Sequence, residues 1–462
     1  MADFYMMGEQ GAATQNSVEH KILARYPLSN PTRKWKQDNF VLSQFEAFGN
    51  NMRKTVKAMA DVGFDMVEIG WATPEQAEAA VALCQQFGLK LVYQNLSRFG
   101  GAWDRDPEAK TGNSPFFENV YKNNGYCGGD VSRTGVKLDI RSVIAEKKGK
   151  VAGYYIWDEP FFELQMEECC KEIDAVEELD PAALPFVVVN PSYGPDSNWQ
   201  INNYAAYIER AASIINPPVL SFDYYPVGTP EQNEKDQLDN SPMWCDMYVV
   251  SKTAKAHNMP FWFYYQGENL HNVPFCTFAM TRMFMYAGAL YGAKALQHYR
   301  ARYAIVDPDG NRLPYFDLQK EINAEFRALG DTLMALDCKQ VFHDASCLKD
   351  FAPMKEWADD IANSSFLAAA LPFRTSASEF EDSFGNKYLM VLNRDYIAEK
   401  TLTLPLKGNY RVYEVSKDDG LQYIAADSTN KLNVQLAAGD AALFRLQPAD
   451  EKPFTLEYRL SK

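Results

Sequence analysis

Two short runs place a glutamate just where an apolar segment stops. Residues 151–160, VAGYYIWDEP, close on Asp158 and Glu159, and residues 261–268, FWFYYQGE, close on Glu268. A short apolar run reads as a buried strand, and in a parallel α/β barrel the groups that do chemistry sit at the carboxyl ends of the strands. Two carboxyl groups held about 5 to 5.5 Å apart can split a glycosidic bond with retention, one protonating the leaving oxygen and the other attacking the anomeric carbon. Glu159 is the first catalytic candidate on this reasoning and Glu268 the second. Asp158 also suits the N-cap of a helix starting near Phe161, with Pro160 in its first turn, a role that leaves Glu159 free to face a pocket. A glutamate after glycine, as at Glu268, is also a common surface residue.

Other strand ends offer polar and aromatic groups of the kind that bind sugars. Asp223 and Tyr225 lie in LSFDYYP, Asn190 ends the fifth apolar run, Gln94 and Asn95 the third, Trp71 the second, and His298 sits in the eighth. Amides and hydroxyls match sugar hydroxyls, which both donate and accept, and the indoles of Trp71, Trp157 and Trp262 could stack on a ring face or simply fill the core. These residues are expected as substrate contacts, together with Asp158. Asn and Asp at such places also serve as ordinary helix caps. Glu68, Glu159, Asp223 and Glu268 could ring a cation if they converged. A metal-dependent sugar isomerase or lyase is the alternative such a ring points to, and a non-catalytic carbohydrate-binding barrel is another; the strand-end His and Lys partners of the former are mostly missing, so no metal and no cofactor is expected. Neither HExxH, GxSxG, GxGxxG nor a phosphate-binding GxxxxGK[ST] occurs.

The elements that must carry these groups alternate. Strand-like runs at 40–48, 66–71, 89–95, 151–157, 186–190, 219–225, 261–266 and 293–299 are separated by amphipathic stretches such as 74–87, 161–179, 203–215, 277–291 and 315–337. Eight strand and helix pairs predict a closed (β/α)8 barrel with its helices outside. Residues 98–137 form a long Gly- and Asn-rich insertion after the third strand, where Trp103 and Tyr126 are candidates for a cleft wall. Beyond about 338 the pattern changes to short alternating strands with Gly, Asn and Asp turns, which predicts an antiparallel β-sandwich. The expected division is a barrel with an N-terminal extension over 1–371 and a sandwich over 372–462.

With these motifs in hand, the chain resembles the large clan of retaining glycoside hydrolases built on a (β/α)8 barrel, over residues 35 to 337, and the appended sandwich resembles those that accompany such barrels. The resemblance implies Glu159 as acid/base after strand four and Glu268 as nucleophile after strand seven. It also implies that Tyr225, with Asp223, orients the nucleophile side. Many members carry Asn-Glu on strand four, where this chain has Asp158 and Glu159; a like charge beside an acid raises its pKa. The expected substrate is a β-linked, largely neutral oligo- or polysaccharide.

Composition agrees with a neutral partner. Against 46 Lys and Arg stand 61 Asp and Glu, a formal net charge of -15, which disfavours nucleic acid and anionic membranes. Hydrophobic residues make up 47% of the 462, and the 13% aromatic content is high enough to supply both a core and sugar-stacking walls. The eight cysteines show no zinc spacing; only Cys338 and Cys347 are near enough in sequence to suggest a local disulfide. No apolar run is long enough to span a membrane. The segment MADFYMMGEQ lacks a basic region followed by an apolar one, so the expectation is a cytoplasmic protein, or a periplasmic or secreted one whose signal has been removed.

Overall fold

A computed structural model of the chain describes residues 18–19, 30–46, 50–69, 74–93, 140–160, 163–192, 201–227, 238–267, 277–301, 304–347 and 358–453. Eight parallel strands close into a barrel: β1 (Val41–Glu46), β2 (Met66–Ile69), β3 (Lys90–Tyr93), β4 (Gly153–Asp158), β5 (Leu184–Val189), β6 (Leu220–Tyr224), β7 (Phe261–Gln266) and β8 (Ala295–Tyr299). The last strand returns to the first with Val41 opposite Ala295 and Ser43 opposite Gln297. The eight predicted strands are these eight.

Two apolar layers hold the barrel. Inside it lie Val41, Phe45, Met66, Val92, Tyr155, Leu184, Phe186, Val188, Val219, Trp262, Tyr264 and Ala295. The alternate residues of the same strands, such as Leu42, Val67, Val187, Phe222 and Phe263, face outward into a larger core shared with the helices. Strands buried on both faces explain the near-continuous apolar runs LPFVVV and FWFYYQ. Among the outer helices, α1 (Met52–Val62) shows how local chemistry sets the ends. The Asn51 side chain accepts from the Lys54 N–H at its start, and Gly63, at φ 93°, closes it in the left-handed conformation. The others are α2 (Pro74–Phe87), α3 (Ile140–Lys147), α4 (Glu163–Leu179), α5 (Ile201–Arg210), α6 (Met243–Ala256), α7 (Phe278–Leu290) and α8 (Tyr315–Ala335).

Beyond α8 comes an antiparallel sheet of β9 (Asp337–His343), β10 (Thr375–Glu381), β11 (Lys387–Asn393), β12 (Lys400–Val415), β13 (Gln422–Leu436) and β14 (Ala441–Pro448), with the two-residue strand Val18–Glu19 on its outer edge beside β13. Because β9 is the first of these, the sheet begins at 337, beside the change of pattern read at about 338. The sandwich is a single hydrogen-bonded sheet folded over itself: the register of β12 on β13 breaks between Pro405 and Tyr410, and Leu402, Leu404, Leu406, Leu432, Val434 and Leu436 pack back on Leu389, Val391 and Phe444. Its opposite face, with Phe380, Tyr388, Met390, Leu392 and Leu443, joins the outer core of the barrel. Gly439, at φ 70°, lies so close to the Ala279 carbonyl of α7 that no side chain fits there. Cys338 and Cys347 are free thiols, contrary to the disulfide their spacing suggested. No helix among the described residues is long and apolar enough to cross a membrane.

Candidate active site

A cavity of about 200 Å³ opens at the carboxyl ends of the barrel strands, lined by Phe45, Tyr155, Asp158, Glu159, Val188, Asp223, Tyr225, Tyr264 and Tyr299. Three carboxyl groups and four tyrosines thus face one space. A larger cavity of about 370 Å³ lies at the opposite end, between α6, the starts of β7 and β8, and β9, where Lys255 pairs with Asp337. Barrel chemistry belongs to the carboxyl-end face, so the smaller cavity is the candidate.

The way β4 delivers two adjacent acids to the cavity follows from a bulge. Strict alternation after the inward Tyr155 would turn Trp157 inward and Asp158 outward. The register against β5 instead slips between Tyr155 and Trp157, so that Tyr155 opposes Phe186 and Trp157 opposes Val187. Ile156 and Trp157 both enter the outer core, and Asp158 turns in, where its Oδ1 accepts from the Tyr155 hydroxyl at 2.9 Å. Trp157 therefore packs between barrel wall and helices and does not line the cavity. Glu159 follows at φ 57°, a left-handed conformation that costs a non-glycine residue about 1 to 3 kcal/mol. The surroundings hold it there. Its N–H donates to the Val188 carbonyl at 2.9 Å and its carbonyl accepts from Asn190 Nδ2 at 3.1 Å; the Tyr207 hydroxyl donates to the Pro160 carbonyl at 2.9 Å. Tyr204, also on α5, donates to the Asn190 carbonyl at 3.0 Å. Asn190 thus braces the backbone of Glu159 and is not among the lining residues.

Asp223 is a strongly perturbed acid of the cavity. Burial pushes its carboxyl up to about 7, helped by the Asp158 charge and opposed by hydrogen bonds from Tyr225, its own backbone and Glu159. Asp223 therefore lies within hydrogen-bonding reach of Glu159 and, by its own burial, keeps a proton toward neutral pH. The aromatic walls are interlocked: Tyr225 stacks on Tyr299 with centroids 4.5 Å apart, and Phe45 meets Tyr155, Tyr264 and Tyr299 at 6.4, 6.4 and 5.3 Å. Two residues back along β1, β6 and β8, one layer deeper, Ser43 and Gln297 donate to Glu68 Oε1 at 2.6 and 2.8 Å, and Ser221 donates to Gln297 at 2.7 Å. Glu68, raised to about 7 by burial, belongs to this polar belt and not to the cavity.

His298 points away from the cavity, between Phe64 and Tyr265, and burial lowers its pKa to about 3, so the ring is neutral. It fills the space left by the absent side chain of Gly267, whose Cβ would fall inside the imidazole. The structure therefore brings Asp158, Glu159, Asp223 and Tyr225 together and sets Trp157, His298 and, as the brace just described, Asn190 apart from them. Trp262 is buried inside the barrel, where its indole donates to Gln37 at 2.8 Å. Glu268, Trp71, Gln94, Asn95, Trp103 and Tyr126 lie outside the described residues. Phe45, Tyr155, Tyr264 and Tyr299 were not foreseen as lining; inward alternation along VLSQFE and FWFYYQ was the signal for Phe45 and Tyr264.

Fold and site together define a (β/α)8 barrel with an acidic, tyrosine-walled cavity and an appended antiparallel domain. No family model and no curated protein matches the sequence. Among solved structures, a GH27 β-L-arabinopyranosidase from Geobacillus stearothermophilus is similar over 90% of this chain and 98% of its own, at 12% identity and a TM-score of 0.50. A glycoside hydrolase family 30 subfamily 8 xylanase from Clostridium acetobutylicum is similar over 89% and 97%, at 9% identity and a TM-score of 0.43. What the chain has in common with the first is the fold, a barrel and an accessory domain along nearly the whole length of both proteins.

Proposed function

We propose that the chain is a glycoside hydrolase that cleaves β-linked bonds of a largely neutral glycan with retention of configuration. The convergence of Asp158, Glu159 and Asp223 on one aromatic cavity at the strand ends supports this most directly. Glu159 is the acid/base. It gives its proton to the leaving oxygen as the bond to the anomeric carbon breaks and Glu268, which follows β7, forms a new one. Water then attacks that carbon, Glu159 takes its proton, and Glu268 is released. Asp223 is hydrogen-bonded to Glu159 and helps to position it, Asp158 is fixed by Tyr155, and the stacked Tyr225 and Tyr299 offer a flat wall to a sugar face. A panel of α- and β-linked nitrophenyl glycosides tests the reading, with the first-formed anomer identified by proton NMR. Cleavage of at least one β-glycoside with retention is expected. Glu159→Gln should lower the rate on poor leaving groups by about 10²- to 10⁴-fold, and far less on dinitrophenyl glycosides, whose departure needs no proton. Full activity in Glu159→Gln on poor leaving groups would remove it from the reaction.

A further inference from the structure

Tyr264 differs from the other tyrosines whose partners are known. Tyr155 donates to Asp158 and Tyr225 reaches Asp223, whereas the Tyr264 hydroxyl is buried with no hydrogen-bond partner among the described residues. Its neighbour across the sheet repeats the pattern. Asp223 and Tyr264 are register partners on β6 and β7, both line the cavity, and Asp223 Oδ1 is also buried with no partner among the described residues. Native folds rarely leave buried polar atoms unmade, and two on adjacent strands beside the same cavity mark a place where something else completes them. The Tyr264 ring cannot swing its hydroxyl away, because Phe45 and Phe186 pack on it at 6.4 and 6.3 Å. One atom is a donor and the other an acceptor, the complement of an alcohol, which accepts and donates at the same oxygen.

We infer that Tyr264 and Asp223 form a two-point clamp for one hydroxyl of the sugar ring held in the cavity, the Tyr264 hydroxyl donating to it and Asp223 Oδ1 accepting from it. Tyr264 is then the residue that sets which sugar fits, because a ring without that hydroxyl leaves both buried groups unmade. The cavity is of small-ligand size: about 200 Å³ falls below the roughly 300–1,000 Å³ typical of larger ligand sites. This clamp rests on the reading of the cavity as a sugar site, and it extends that reading to a single, hydroxyl-directed specificity.

The test is a calorimetric titration of the full chain with free xylose, arabinose, glucose, galactose and mannose, then with the monodeoxy analogues of whichever binds most tightly. Wild type should reject one monodeoxy isomer by roughly tenfold or more, and Tyr264→Phe should bind the parent sugar roughly tenfold more weakly while binding that isomer as wild type does. The wild-type deoxy series needs no variant, so a misfolded Tyr264→Phe would not spare the clamp. Binding of none of the five sugars, equal tolerance of every deoxy position, or unchanged discrimination in Tyr264→Phe would each overturn it. Sugar binding with the Tyr264 signature but no glycoside cleavage would sink the proposed hydrolase and leave the clamp standing; cleavage with an indifferent Tyr264 would do the reverse.

Discussion

Asp223→Asn should make the protein more stable, and increasingly so as the pH rises. The folded state holds the Asp223 proton up to about pH 7, whereas the unfolded chain releases it from the ordinary value of 3.8. A raised carboxyl pKa means that folding takes up a proton between those two values, so stability falls as the pH climbs through the window and levels off above 7. At about 1.4 kcal/mol per pKa unit, the ionised group costs the fold roughly 4 kcal/mol at pH 8. Part of that is offset by the hydrogen bonds that Tyr225 and Glu159 make to the carboxylate, and asparagine has its own amide to satisfy, which leaves about 2 to 3 kcal/mol as the expected gain. Denaturant unfolding of wild type and Asp223→Asn at pH 4, 5.5, 7 and 8.5 measures it directly. The two proteins should be nearly equal at pH 4 and diverge steadily to pH 7. A difference that does not change with pH, or one that grows toward acid, would refute the burial argument. Hydrolysis by the stabilised variant should be slower, since the carboxylate partner that positions Glu159 is replaced by an amide.

Three further perturbations probe the packing that holds the barrel and its attached sheet. Asn190→Ala removes the hydrogen bond to the Glu159 carbonyl, and should cost about 1 kcal/mol in unfolding free energy and lower kcat more than it changes KM. Gly267→Ala drives a methyl group into the His298 ring; about 1 to 3 kcal/mol of destabilisation or more is expected, with recovery in Gly267→Ala/His298→Ala as the check on cause. Arg394→Met strips a fully buried guanidinium from Asp239 and Asp344, and thermal melts should register a loss of about 3 to 5 kcal/mol at neutral pH.

The barrel was legible because strands covered on both faces write themselves as short apolar runs, and LPFVVV or FWFYYQ admits few other readings. Asp158, Glu159, Asp223 and Tyr225 were legible for a related reason: in a parallel barrel the carboxyl end of a strand is where polar groups stop being costly. Trp157 was misplaced because alternation fails at a bulge, and nothing in GYYIWD announces that Ile156 and Trp157 will point the same way. His298 was misplaced because a neutral imidazole behaves as an aromatic filler when a glycine opposite leaves room for it. The brace formed by Asn190, Tyr204 and Tyr207 joins β5 to α5 across a turn, a relation that no local spacing encodes. The start of the sheet near 337 was legible as the point where helical spacing gives way to short alternating strands.

The cluster at Asp239 has a consequence for how the protein comes apart. Asp239 belongs to the stretch that follows the Asp223 strand, yet its cations, Arg374 and Arg394, come from the distal sheet, and Arg394 is also held by Asp344. One face of that sheet is continuous with the outer core of the barrel. Peeling the sheet away would leave a buried carboxylate without its counter-charges and bare a broad apolar surface in the same step. Barrel and sheet are therefore two architectures but one melting unit. Calorimetry on such a molecule should record a single heat-absorption peak, and moving this sheet onto another barrel would require rebuilding the seam.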